Sequence, residues 1–201
     1  AIVETAHSLG RKVTAHAHNA DGINASLRAG VDSIEHGTFA NDESIRLFKS
    51  TGAYLVPTIL AGITVAEIAG SENSFFAKAV RDKAMRVGPQ LIENTRRAHR
   101  SGVRLAFGTD SYVSQHGENA REFGLLVEAG LTPIEAIVTA TVNGTDNLGQ
   151  SDTLGTLESG KHADLIAVDG DPTADVDVLL DVDFVMKAGV VYKHYADRSE
   201  P

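Results

Sequence analysis

The sequence predicts an α/β fold in which parallel strands alternate with helical crossovers, followed by a small β-rich appendage. Two observations predict it. An amphipathic stretch, a glycine stop and a short β-rich run recur as a unit: "GINASLRAG" (22–30) before "VDSIEHG", "DESIRLFKSTG" (42–52) before "AYLVPTIL", and "IENTRRAHRSG" (92–102) before "VRLAFGTDS". Strand and helix alternating this regularly imply a parallel sheet with helical crossovers. From Leu154 onward the texture changes to short β-rich pieces broken by Gly-Lys, Asp-Gly and Ala-Gly turns, the pattern of a separate small sheet.

Taken in order, "AIVETAHSLGRK" reads as the end of a helix stopped at Gly10, in a chain that starts at Ala1 as if entered partway. Strands are expected at about 13–18, 33–37, 53–59 and 104–110. Gly30, Gly52 and Gly102 stop the intervening helices, since glycine takes the left-handed conformation without a Cβ clash. Asn41 and Asp42 are N-cap candidates for the helix that follows them. The connection over about 60–101 is the longest and carries "SENSFFAKAVRDKAMRVG", an extra helix that serves as a lid or merely lengthens a crossover. Helical stretches follow at 118–130 and 131–149, the second with Thr132 as N-cap, Pro133 at the first helical position and Glu135 at the third. Residues 154–195 form the β appendage, with helical periodicity only around "ADVDVLL", and 196–201 a frayed tail. The domain division is therefore 1–153 and 154–201.

Composition narrows the partners. The 201 residues suffice for one sizeable domain with an appendage, and 42% hydrophobic with 22% charged residues is the balance of a soluble globular protein. A formal net charge of -9 argues against nucleic acid and anionic membranes as partners, or merely serves solubility. A small-molecule partner and a cytoplasmic location are the expectations. No apolar run approaches the roughly 18 residues that span a bilayer. Without cysteine there is no disulfide and no thiolate metal site, so any metal relies on His, Asp, Glu or a modified Lys.

The polar residues with chemical capacity fall at strand ends, where loops and helix N-termini of parallel α/β folds converge on a ligand. His16 and His18 close the first strand, His36 the second, Thr58 the third and Asp110 the fourth. Side chains alternate along a strand, so His16 and His18 point to one side. Imidazoles and a carboxylate gathered from separate strand ends suit Zn²⁺ or a similar borderline divalent metal. Other histidines are set aside: His99 in the basic stretch "RRAHR", His7 in the opening helix, His162 in an appendage turn and His194 near the C-terminus.

The segments "HAHNADGINASLRAGVDSIEHGT", "GAYLVPTI", "LAFGTDS" and "GTLESGKHADLIAVDGDP" together resemble the amidohydrolase superfamily, in its imidazolonepropionase-related and prolidase-like branch. The resemblance covers almost the whole chain and is made specific by the Gly-Lys-x-Ala-Asp-Leu signature at 160–165. It implies a (β/α)8 TIM barrel with a β-sandwich built from both chain ends, of which this chain would be the C-terminal half-barrel, strands five to eight, plus part of the sandwich. It also implies a binuclear metal centre held by a first-strand His-x-His, a carboxylated Lys on the fourth strand, and His, His and Asp on the fifth, sixth and eighth. Carried over, His16 and His36 are metal ligands, Asp110 is both ligand and proton shuttle, and His18 is a substrate contact. The His-x-His and Lys have no counterpart upstream of His16, so the isolated chain is expected to bind Zn²⁺ weakly and to be inactive as a fragment.

The activity so implied is metal-dependent hydrolysis of a non-aromatic C–N bond, as in an Xaa-Pro dipeptide, an N-acyl amino acid or a cyclic amide. His116, Tyr112 and Arg121, in or beside the loop after Asp110, are expected to touch substrate, and Thr109 and Ser111 either to orient the Asp110 carboxylate or simply to form its turn. Two alternatives stand beside it: a one-metal ring deaminase of the same superfamily, and a catalytically incomplete half-barrel that only folds or pairs with a second copy through exposed strand edges.

Overall fold

The computed structural model describes residues 1–194, so the tail expected at 196–201 lies outside the described residues. Helix α1 (Ile2–Ser8) leads into β1 (Thr14–Ala17), α2 (Ala20–Arg28) crosses to β2 (Ser33–His36), and α3 (Asp42–Thr51) crosses to β3 (Tyr54–Val56). The sheet order is β1-β2-β3 with both pairs parallel, in a register that sets Ala17 opposite His36 and Glu35 opposite Val56. The predicted alternation is therefore present, with each strand shorter than its apolar run. Pro57 has no N–H to continue β3.

The run expected at 104–110 is reduced to one parallel bridge, Leu55 to Leu105. Beyond it the Phe107 N–H donates to the Thr139 carbonyl at 3.0 Å, which peels the chain off the sheet. Gly108 lies so close to β3 that a Cβ there would sit 2.4 Å from Val56 Cγ1, so this strand end admits no side chain.

The helices form where local chemistry closes their ends. Asn41 caps α3 in a reciprocal box with Ser44, leaving Asp42 inside the first turn, and Thr132 caps the next-to-last helix in a box with Glu135. The long connection is a helical hairpin, α4 (Ile59–Gly70) and α5 (Lys78–Arg100), so the stretch read at 92–102 is the end of a 23-residue helix. The two pack through glycine: Gly62 would meet Leu91 Cδ1 at 2.2 Å with a Cβ, and Gly88 the Gly62 carbonyl at 3.1 Å. After them come α6 (Arg121–Glu128), α7 (Pro133–Ala140) and α8 (Val142–Asn147).

Ile23, Leu27, Ile34, Phe48, Leu55 and Leu126, each at most 1% exposed, fill the space between the sheet and its helices. At the strands' N-terminal end, Arg104 lies over the Tyr54 ring, 4.1 Å from its centroid, and pairs with Asp146, which also accepts from the Tyr54 hydroxyl at 2.8 Å. The appendage is an antiparallel sheet of order β4-β5-β6: β4 (Leu165–Ala167), β5 (Phe184–Lys187) and β6 (Val190–Lys193). The expected helical piece is a 3-10 turn at Val176–Leu180, which buries Val176 and Leu179 and packs on α6. Among the described residues no helix is long and apolar enough to cross a membrane.

Candidate active site

The strand ends bring three imidazoles together. His16 lies within β1, His18 one residue past its end and His36 at the last position of β2, where the register sets the two strands side by side. Their ring centroids are 4.5–4.8 Å apart, and one nitrogen from each lies within 4.8 Å of the others. His36 Nε2 and His16 Nδ1 approach to 2.8 Å. His36, Thr58 and Asp110 all take left-handed backbone angles, with φ of 69°, 49° and 50°. A non-glycine residue held there costs on the order of 1–3 kcal/mol, so the surrounding structure enforces these turns. After His36 the turn continues through Gly37 (φ 60°), where a Cβ would lie 2.5 Å from Leu55 Cδ1.

Hydrogen bonds fix the orientation of two rings. The Thr58 hydroxyl donates to the Pro57 carbonyl at 2.7 Å, and its oxygen lies 2.6 Å from His36 Nδ1. A hydroxyl has one proton to give, so Thr58 accepts from His36 Nδ1–H, and His36 Nε2 carries a lone pair into the cluster. His18 Nδ1 is held at 2.7 Å by the hydroxyl of Thr38, a fully buried residue. Burial, reinforced by the neighbouring His18 and His16 charges and opposed by Asp110, lowers the His36 pKa to about 4. His18 is lowered for the same first reason, then by His16 and Lys83. At neutral pH His36 is therefore an uncharged imidazole, the protonation state that binds a cation.

The cluster opens on a cavity of about 700 Å³. One side carries His16, His18, His36, Asn19 and Asp110; the other is the apolar face of the α4–α5 hairpin, with Val65, Val80, Val87 and Leu91. Lys83 is the cation on that wall, and among the described residues it forms no ion pair. The long connection thus faces the site, as the lid reading of that segment requires. Volume and lining suit a small organic molecule with one large apolar part.

The other expected residues are placed differently. Tyr112 (φ 111°) is 89% exposed, and neither it nor His116 lines the cavity. Arg121 turns away to Glu118 and Glu67, at 3.0 and 3.1 Å. None of these three lines the cavity, although Val113, three residues after Asp110, does. Thr109 and Ser111 bond each other at 2.8 Å, not the Asp110 carboxylate. His7 pairs with Asp32 and His99 lies 3.8 Å from Glu135, both away from the cluster. Sequence reading missed Lys83, Asn19 and Thr38. Only the length of the connection hinted at the first, and the Thr-after-Gly turn following His36 at the last.

Residues 1–192 match the model of the amidohydrolase family. The chain belongs to the amidohydrolase family. A solved Xaa-Pro dipeptidase with methionine bound in its active site is 47% identical, with a TM-score of 0.91 over 96% of this chain and 47% of that one. The ochratoxinase of Aspergillus niger is 34% identical over 198 residues, 96% of this chain and 40% of its own length. The imidazolonepropionase of Sphingopyxis alaskensis is 29% identical over 178 residues, 85% of this chain and 39% of its own. The chain thus spans less than half the length of these amidohydrolases. The expected family and branch are borne out, and the histidine cluster is compatible with the metal dependence typical of amidohydrolases.

Proposed function

We propose that this chain supplies one side of a metal-dependent site that hydrolyses a non-aromatic C–N bond in a small substrate bearing an apolar group and a carboxylate. The observation that carries this reading is the convergence of the His16, His18 and His36 nitrogens on the wall of one cavity that also holds Asp110. His16 and His36 would hold the ion, Zn²⁺ in the first instance given nitrogen and carboxylate donors without sulfur. When bound, such an ion polarises the scissile carbonyl and makes a water nucleophilic at neutral pH. The remaining ligands, a His-x-His and a bridging Lys, would come from the part of these amidohydrolases that this chain does not span, completing the barrel and a binuclear centre.

The chain's own residues do the rest. Thr58 holds the His36 ring in one tautomer. Asp110, at its left-handed strand end, takes the proton of the attacking water and returns it to the leaving nitrogen. His18, anchored on Thr38, faces the substrate beside the ligands. The α4–α5 wall receives the apolar group and excludes water, while Lys83 pairs with the carboxylate.

Hydrolysis of Xaa-Pro dipeptides and N-acyl amino acids, compared with their carboxamides, by a protein that joins this chain to a half carrying the remaining ligands tests this reading. A charge-assisted contact is worth about 1.5–3 kcal/mol, so Lys83→Met is expected to raise KM about tenfold or more for the free acids and leave the carboxamides unchanged. Equal effects on both series, or hydrolysis of neither, would contradict it.

A further inference from the structure

Glu122 is fully buried on α6, yet the chemistry above does not use it. Its two carboxylate oxygens accept from the N–H groups of Ile59 and Leu60 at 2.9 and 2.7 Å. Those are the first two residues of α4, whose N-terminal groups have no partners within their own helix. The residue placed to satisfy them is the N-cap, Thr58, but its side chain makes no capping bond. Its hydroxyl is committed to His36 and the Pro57 carbonyl instead, with the backbone left-handed at φ 49° and ψ 47°. A threonine released from capping needs another group to cap for it, and Glu122 fills that place from 63 residues away.

We propose that Glu122 is a positioning residue for the active site: by capping α4 in place of Thr58, it frees the Thr58 hydroxyl to fix the His36 tautomer. The chain of contacts is continuous, Glu122 to the Ile59 and Leu60 amides, through the Thr58 backbone, to His36 Nδ1. A carboxyl serves in either protonation state, because both oxygens keep a lone pair for the amides; a side-chain amide does not, since its nitrogen only donates. Burial pushes the Glu122 carboxyl up to about 8 despite the two amides. An acid retained at such a site, where an apolar residue would pack more cheaply, is accounted for by the helix end it serves.

Glu122→Gln in the 201-residue chain tests this, read by long-range ¹H–¹⁵N NMR of the imidazoles and by Zn²⁺ titration. The native chain is expected to show His36 as the Nδ1–H tautomer. Glu122→Gln is expected to give a tautomer mixture and to weaken Zn²⁺ binding about tenfold, the usual scale for losing support behind a ligand histidine. Leu126→Ala, a buried change one turn along α6, is expected to lower stability and leave the His36 tautomer intact. In a Thr58→Val background, Glu122→Gln is expected to cost no further Zn²⁺ affinity, because the group it acts through is gone. A His36 tautomer unchanged in Glu122→Gln, or losses that add in the double variant, overturns the proposal. Should Glu122→Gln not fold, Glu122→Asp, which keeps both oxygens but withdraws them by one methylene, is read by the same criterion. The tautomer measurement stands whether or not the chain hydrolyses anything, so its failure is distinct from failure of the hydrolase reading.

Discussion

His36 concentrates the chemistry of the site in one side chain. Its Nδ1 is committed to Thr58 and its Nε2 meets His16 at 2.8 Å, in a setting that lowers its pKa to about 4. The unfolded chain binds that proton near 6.5, so between 6.5 and 4 the unfolded state holds more protons than the folded one. Stability contributed by the neutral ring is thus present above about 6.5 and is lost as pH falls toward 4. In the metal-free chain, NMR is expected to show His36 titrating with a midpoint near 4. Replacing it with Gln should flatten the decline of the denaturation midpoint over that window. A His36 midpoint at 6.5, where an unperturbed imidazole titrates, would mean that the ring is not buried as described.

The elements were largely legible because their signals are local. The Asn41 and Thr132 caps depend on residues three positions apart; the Thr132–Glu135 box forms as read, and of the two cap candidates Asn41 is the one that caps, in a box with Ser44 that the sequence reading did not name. Thr132→Ala, with Glu135 retained, is expected to cost about 1 kcal/mol in urea denaturation; a change under a few tenths would show that α7 is held by packing alone. The placement of His16 and His36 in β1 and at the end of β2 followed from the β-rich runs and the position of the glycine stops, whereas Asp110 lies beyond the single bridge that remains of its run. What was not legible rests on contacts distant in sequence. The fourth strand is cut short by Thr139, and no pattern within 104–110 announces that acceptor. The apolar run "ILAGITVAEIAG" reads the same whether it lines a core or a cavity, so the role of the α4–α5 hairpin needed coordinates. Tyr112, His116 and Arg121 follow Asp110 in sequence, but in the loop after Asp110 it is Val113 that lines the cavity. Glu122 had no local mark at all, since the amides it caps lie far upstream.

At the scale of the molecule, one end of the parallel sheet gathers the groups with chemical capacity and the opposite end gathers Tyr54, Arg104 and Asp146, which tie strands to α8. That separation is the usual division of labour in parallel α/β folds, with reactive groups at the strands' carboxyl ends and stability at the other. The chain spans 47% of the solved Xaa-Pro dipeptidase and 40% of ochratoxinase, and on the proposed reading the cavity would form one side of a larger site. The claim on which everything else rests is that His16 and His36, with Asp110 beside them, surround a single cation position. Anomalous diffraction at the zinc edge from crystals grown with Zn²⁺ tests it most directly. A peak within bonding distance of His16 and His36 nitrogens, with His18 still on Thr38, is the predicted result. Zinc bound only elsewhere on the protein, or a histidine cluster that stays empty at saturating Zn²⁺, would contradict it.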